Sequence, residues 1–212
     1  MRSQTYGTGG RQVSILGLGA GQVGDAAVDE AQASRLLNAA LDLGITLIDT
    51  ARGYGLSEER IGRHLAHRRS EFMLSTKVGY GIAGHADWTA DVIGAGVDVA
   101  LRRLRTDFID IVHLHSCDLA TLQAGDVIEA LLRAREQGKV GCVAYSGENE
   151  ALAWAVADGR FMGIECSVNL FDQASLERTL PDAAARGFGV IAKRPLGNAP
   201  WRFAQRPVGH YA

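Results

Sequence analysis

The segment Asp49-Thr50-Ala51-Arg52-Gly53-Tyr54-Gly55 sets a carboxylate at the end of the run Ile45-Thr46-Leu47-Ile48 and a phenol five residues later, between two glycines. A free phenol has a pKa of about 10 and is a poor acid near neutrality. A neighbouring ammonium favours the phenolate, and each tenfold gain in acidity is worth about 1.4 kcal/mol. Lys77 can supply that charge, Asp49 can keep the lysine protonated and oriented, and His115 can donate or accept a hydrogen bond at a substrate oxygen. Gly53 and Gly55 let the backbone present the phenol without a Cβ clash. Each residue also has an ordinary reading. Tyr54 could pack a turn, Asp49 could cap one, Lys77 could be a surface charge, and His113 reads as core. Their joint placement argues for a site.

Something must bring these groups together. Short apolar runs at 14–18, 45–49, 72–77, 108–115, 140–146, 163–169 and 189–193 read as strands. Helical patterns fill the gaps at 30–43, 57–68, 89–105, 126–137, 152–158 and 175–185, the first with Ala33, Leu36, Leu37, Ala40 and Leu41 as its apolar stripe. Alternating βα units imply a parallel sheet, and no Pro/Ser-rich linker divides residues 1–212, which read as one domain. An open doubly wound sheet and a (β/α)8 barrel both fit. In either, the C-terminal strand ends face one site. Asp49, Lys77, His115, Ser146, Asn169 and Lys193 close six strands in succession.

The composition restricts the partners. The 212 residues are 47% apolar and 22% charged, with a formal charge of −2, which gives no electrostatic case for nucleic acid or an acidic membrane surface. No stretch reaches the roughly 18 apolar residues of a membrane span, and MRSQTYGTGG lacks the apolar core of an export signal. Cys117, Cys142 and Cys166 therefore read as reduced thiols of a cytoplasmic protein.

DTARGYGLSEERIG, STKVG and FIDIVHLHSCD together resemble the aldo-keto reductases, nicotinamide-dependent carbonyl reductases built on a (β/α)8 barrel, and GTGGRQVSILGLG is similar to that family's opening hairpin and first strand. The resemblance implies a catalytic tetrad of Asp49, Tyr54, Lys77 and His115, with Tyr54 as proton donor to the carbonyl of a small-molecule substrate. It also implies NADP(H), or NAD(H), as the hydride source. Ser146, Glu165, Asn169, Lys193 and Arg194 fall at the cofactor positions. Gly147 stands where the family has Asn, Glu165 where Gln is common, and Lys193 where an aromatic stacks on the nicotinamide. Only seven of eight strands are counted before the tail RPLGNAPWRFAQRPVGHYA, so the expectation is an incomplete barrel lacking the eighth strand and final helices.

Other readings stand beside this one. Gly19-Ala20-Gly21-Gln22-Val23-Gly24 fits the dinucleotide-binding fingerprint G-x-G-x-x-G, with Asp49 where a ribose-binding acid would lie. His113, His115 and Cys117 are a possible metal-ligand set. A shortened barrel could also have lost catalysis and bind a partner or nothing.

Overall fold

The computed structural model describes residues 1–9 and 11–198, so Gly10 and the tail residues 199–212, His210 among them, lie outside the described residues, as does the expectation that no eighth strand follows. An antiparallel hairpin of β1 (Ser3–Tyr6) and β2 (Arg11–Ser14) opens the chain. Seven strands follow: β3 (Leu18–Gly19), β4 (Leu47–Asp49), β5 (Met73–Val78), β6 (Ile109–His115), β7 (Val140–Ser146), β8 (Gly163–Ser167) and β9 (Gly189–Lys193). Helices α1 (Glu30–Asp42), α2 (Ser57–Leu65), α3 (Ala90–Leu104), α4 (Leu119–Ala124), α5 (Asp126–Glu136), α6 (Asn149–Asp158), α7 (Ala174–Glu177) and α8 (Thr179–Ala185) lie between them.

The sheet order is β3-β4-β5-β6-β7-β8-β9, and every neighbouring pair is parallel. A doubly wound sheet reverses its order at a switch point. This one does not, which leaves an incomplete (β/α)8 barrel and removes the dinucleotide-fingerprint reading. The glycines of that motif do other work. A Cβ on Gly24 would lie 1.6 Å from the Tyr54 carbonyl oxygen, and the Leu56 N–H donates to Gly24 O at 3.0 Å. The motif is the seat of the Tyr54 loop.

Period-two alternation divides the strand residues between two cores. Ile48, Leu74, Val112, Leu114, Val143, Tyr145 and Ile164 face the helices, where they meet Ala33, Leu37, Ile61, Val97 and Leu131. Leu47, Met73, Ile111, Cys142 and Ala144 fill the lower interior, closed from beneath by Tyr6 and Val13 of the hairpin. Above that apolar floor the inward positions turn polar.

Several boundaries depart from expectation for local reasons. The run 14–18 is not one strand: the Ser14 amide donates to Thr46 Oγ1 (2.8 Å) and its hydroxyl to the Leu16 carbonyl (2.6 Å), which ends β2 there. The strand expected to reach Asn169 stops at Ser167, whose amide is drawn to the Glu148 carboxylate (3.1 and 3.2 Å). The helix at 175–185 breaks at Arg178 (φ −134°, ψ −57°), three residues before Pro181, which cannot donate to the preceding turn. Leu36 is 47% exposed and leaves the α1 stripe. Helix α4 was not legible as one.

Asp110, 5% exposed, ties the lower rim together. Its carboxylate accepts the Leu74 amide (2.8 Å) and Arg69 (2.5 Å) and also pairs with Arg11. Asp110→Ala leaves the buried Leu74 amide and two guanidinium groups, Arg69 and Arg11, without this acceptor. It is expected to cost about 3 kcal/mol, read as a lower urea midpoint, with Asp110→Asn losing less. A midpoint within error of wild type would show that the latch contributes nothing.

Candidate functional site

Strand register sets the polar layer. Asp49 lies beside Ser75, Lys77 beside His113, His115 beside Ser146, and Ser146 beside Glu165. These inward positions meet toward the C-terminal ends of five adjacent strands, β4 to β8.

Lys77 is at the centre. It is 1% exposed, and its Nζ donates to Asp49 Oδ2 (2.6 Å) and the Thr50 carbonyl (3.0 Å), with Glu165 Oε2 at 3.1 Å. Among the described residues Glu165 Oε2 makes no hydrogen bond, so its hold on the lysine is Coulombic. Burial works to discharge the ammonium, but Asp49, Glu165 and Tyr54 outweigh it and keep its pKa above the ordinary lysine value. Burial raises the Asp49 pKa, Lys77 opposes the rise, and Glu165 adds to it. One cation is shared between two carboxylates.

Tyr54 belongs to the loop after β4, with Lys77 Nζ 5.3 Å from its ring centroid. The expectation that the cation makes this phenol acidic is corrected here. Burial raises its pKa above 10, Lys77 only partly lowers it, and Asp49 and Glu165 push it up again. The negative charges of the two carboxylates offset the lysine's effect at the phenol. The Tyr54 loop is held by Gly55 at φ +54°, packed so closely on Gly24 that a Cβ would fall 2.5 Å from Gly24 O.

His115, half-buried at the rim, meets the Tyr54 ring edge-on at 6.1 Å. Burial lowers its pKa to about 3, with Lys77, Lys193 and His113 adding to the effect. His113 lies deeper, where burial and then Lys77 take it to about 3. Its Nε2 is 3.1 Å from Ser75 Oγ, which donates onward to Asp49 Oδ1 (2.7 Å). Both rings are neutral near pH 7.

The residues expected to hold cofactor divide. Ser146 is fully buried, and its Oγ accepts from Lys193 Nζ (3.3 Å), which also pairs with Glu148 Oε1 (3.3 Å). Glu165 turns toward Lys77. Asn169 lies past the end of β8, its Oδ1 accepting the Phe171 and Asp172 amides (2.9 and 3.1 Å) while its buried Nδ2 has no partner among the described residues. Arg194 is exposed at φ +57°. Asp49, Tyr54, Lys77 and His115 are thus brought together, with Glu165, whereas Asn169, Lys193 and Arg194 sit along the β8–β9 side.

The metal-ligand set of His113, His115 and Cys117 does not assemble, because Cys117 packs in the outer core. Asp49, His113 and Glu165 do offer donor atoms within 4.8 Å of one another. Lys77 already supplies the positive charge between those carboxylates.

Sequence reasoning missed Tyr80. Its hydroxyl lies 2.9 Å from His115 Nδ1, and its ring stacks on the imidazole at 5.5 Å with 29° between planes. The signal was available: Gly79-Tyr80-Gly81 repeats the glycine-flanked tyrosine of Gly53-Tyr54-Gly55.

Residues 15–204 match the Aldo/keto reductase family. The chain is 30% identical over 208 residues to L-galactose dehydrogenase of Arabidopsis thaliana, covering 91% of this chain and 65% of that protein. A putative aldo-keto reductase from Pseudomonas aeruginosa superposes with TM-score 0.82 at 33% identity, over 94% of this chain and 81% of that one. The holo form of an aldo-keto reductase from Bacillus halodurans gives 0.86 at 28% identity, over 99% and 71%. The chain spans about two thirds, 65–66%, of the length of the first curated relatives it matches.

Replacing Lys77 tests the shared cation. Lys77→Met leaves Asp49 and Glu165 buried without their counter-charge, at an expected cost of about 3–5 kcal/mol at pH 7. Asp49 already has a raised pKa, and losing Lys77 raises it further. A carboxylate with a folded-state pKa above its unfolded value contributes stability below the unfolded value of about 4 and loses it as pH rises through the folded one. Lys77 also holds down the His113 and His115 pKa values, so its loss makes their protonation easier in the folded state and acts in the same direction. The deficit against wild type should therefore shrink from pH 7 to pH 5 in urea melts; a constant deficit would mean the carboxylates are not charged partners of Lys77.

Proposed function

We propose a carbonyl-reducing activity for this chain, which belongs to the Aldo/keto reductase family. An aldehyde or ketone of small-molecule size is reduced to its alcohol, with Tyr54 as the proton donor. The observation that carries the reading is the buried Lys77 ammonium, 2.6 Å from Asp49 and 5.3 Å from the Tyr54 ring centroid. An acid must hold its proton until charge develops on the substrate oxygen. Burial keeps the Tyr54 phenol protonated at neutral pH, and the ammonium stabilises the phenolate left when the proton transfers. Asp49 and Glu165 keep Lys77 charged throughout. His115, neutral and at the rim, orients the carbonyl oxygen by a hydrogen bond.

The donor set fits a nicotinamide cofactor. Asn169 Nδ2 is buried with no partner among the described residues, a donor for a carboxamide carbonyl, and Glu165 can accept from a carboxamide NH₂ but cannot donate. Ser146 offers a hydroxyl beside them, and Lys193 and Arg194 offer cations to cofactor phosphate. When bound, NADP(H), or alternatively NAD(H), would supply hydride from C4 of its ring. Three buried free thiols support a reducing, cytoplasmic setting. Among the described residues no helix is long and apolar enough to cross a membrane.

The test is a fluorescence titration with NADPH followed by oxidation of NADPH with a nitrobenzaldehyde. Tyr54→Phe is expected to lower turnover by at least about 100-fold with NADPH affinity nearly unchanged. Equal rates for wild type and variant would remove Tyr54 from the role.

A further inference from the structure

We infer that Tyr80 is a positioning residue: its hydroxyl donates to His115 Nδ1 and holds the imidazole in the tautomer that carries its proton on Nε2, so that His115 meets a substrate oxygen as a donor. The contact is 2.9 Å, and the two rings stack at 5.5 Å, which fixes the imidazole plane as well as its edge. Donor and acceptor follow from chemistry. A neutral imidazole has one protonated and one lone-pair nitrogen, and the lone-pair nitrogen is a stronger acceptor than a phenol oxygen, while the phenol is the stronger acid. Burial raises the Tyr80 pKa, against the opposing Lys77 and Arg52 charges, so the hydroxyl keeps the proton it donates. His115 is neutral for the reasons already given, so its tautomer decides whether it can donate.

The loop around Tyr80 is shaped to hold this contact. Gly79 sits at φ +144°, and a Cβ there would lie 2.0 Å from the Trp88 ring. Trp88 itself is held at φ +59° by donating its amide to Gly79 O (2.8 Å), and its ring packs on Tyr80 at 5.8 Å. On the other side, a Cβ on Gly53 would reach within 3.0 Å of the Tyr80 hydroxyl. The glycine before Tyr54 thus makes room for the phenol that orients His115, and the two tyrosine loops interlock. A residue that merely filled space would need neither the hydroxyl nor this clearance.

The functional consequence rests on the reductase reading, but the tautomer can be measured without it. Nitrogen NMR of ¹⁵N-histidine-labelled protein at pH 7, with the His115 signals assigned by their loss in His115→Ala, is expected to show an unprotonated Nδ1 and a protonated Nε2. In Tyr80→Phe, which keeps the stacked ring, both signals should move toward the averaged values of exchanging tautomers. A protonated Nδ1 in wild type overturns the proposal with no variant needed, and so does an unchanged spectrum in Tyr80→Phe. In kinetics, Tyr80→Phe should lower kcat/KM about tenfold with NADPH affinity unchanged, yet have less than about a twofold effect in a His115→Ala background, because the pair acts as one unit. Equal losses in both backgrounds overturn it. If wild type turns over no carbonyl at all, the reductase reading fails, and the NMR result still decides what Tyr80 does to the ring.

Discussion

The Lys77 ammonium, buried among Asp49, Glu165 and the Thr50 carbonyl, is the interaction on which the upper half of the barrel depends. Taking an ammonium out of water costs several kcal/mol unless its partners are close and well aimed. Those partners come from two strands, β4 and β8, and a loop, and the lysine from β5, so the charge can be satisfied only when these three strands hold their register. The ion pair is thereby a specificity device as well as a chemical one. A one-residue slip would turn Lys77 toward the helices and leave both carboxylates alone in the interior.

The rest of the barrel reads as support for that cluster. Beneath it, Tyr6 and Val13 close an apolar floor with Leu47, Met73, Ile111 and Cys142. Above it, loops with little freedom carry the phenols. Gly24 packs under Gly55, and Trp88 packs over Gly79. Packing at such distances transmits position, so the rigid part of the site extends well outside the residues that would touch a substrate.

The strands and the polar series at their ends were legible because short apolar runs closed by a polar residue are local signals, whereas the strand order was not, since an open doubly wound sheet and a barrel fitted those runs equally. Asp49, Lys77 and His115 could be placed on that basis alone. Boundaries set by distant side chains were not legible: β8 ends where Glu148 takes the Ser167 amide, nineteen positions away in sequence. The acidity of Tyr54 was misjudged for a related reason. Its sign depends on a sum of charges from separate strands, and Glu165 entered the sequence reading as a cofactor contact instead of a second claimant on Lys77. Tyr80 escaped because its loop returns to His115 only through Gly79 and Trp88, a closure no periodicity encodes.

The charge ratio in the cluster also bears on the direction of the proposed chemistry. With two carboxylates to one ammonium, and with burial, the Tyr54 pKa stays above 10, so its phenolate is scarce at neutral pH. Reduction needs the protonated phenol, which is the dominant form. Alcohol oxidation needs the phenolate as base, so its rate should grow with alkalinity over a range where reduction is still fully supplied with acid. The substitution of a carboxylate at position 165 acts in the same sense, since its negative charge disfavours the phenolate. In the proposed reduction Tyr54 would act as an acid, and Lys77 would serve chiefly by stabilising the phenolate left on Tyr54 after the proton has gone.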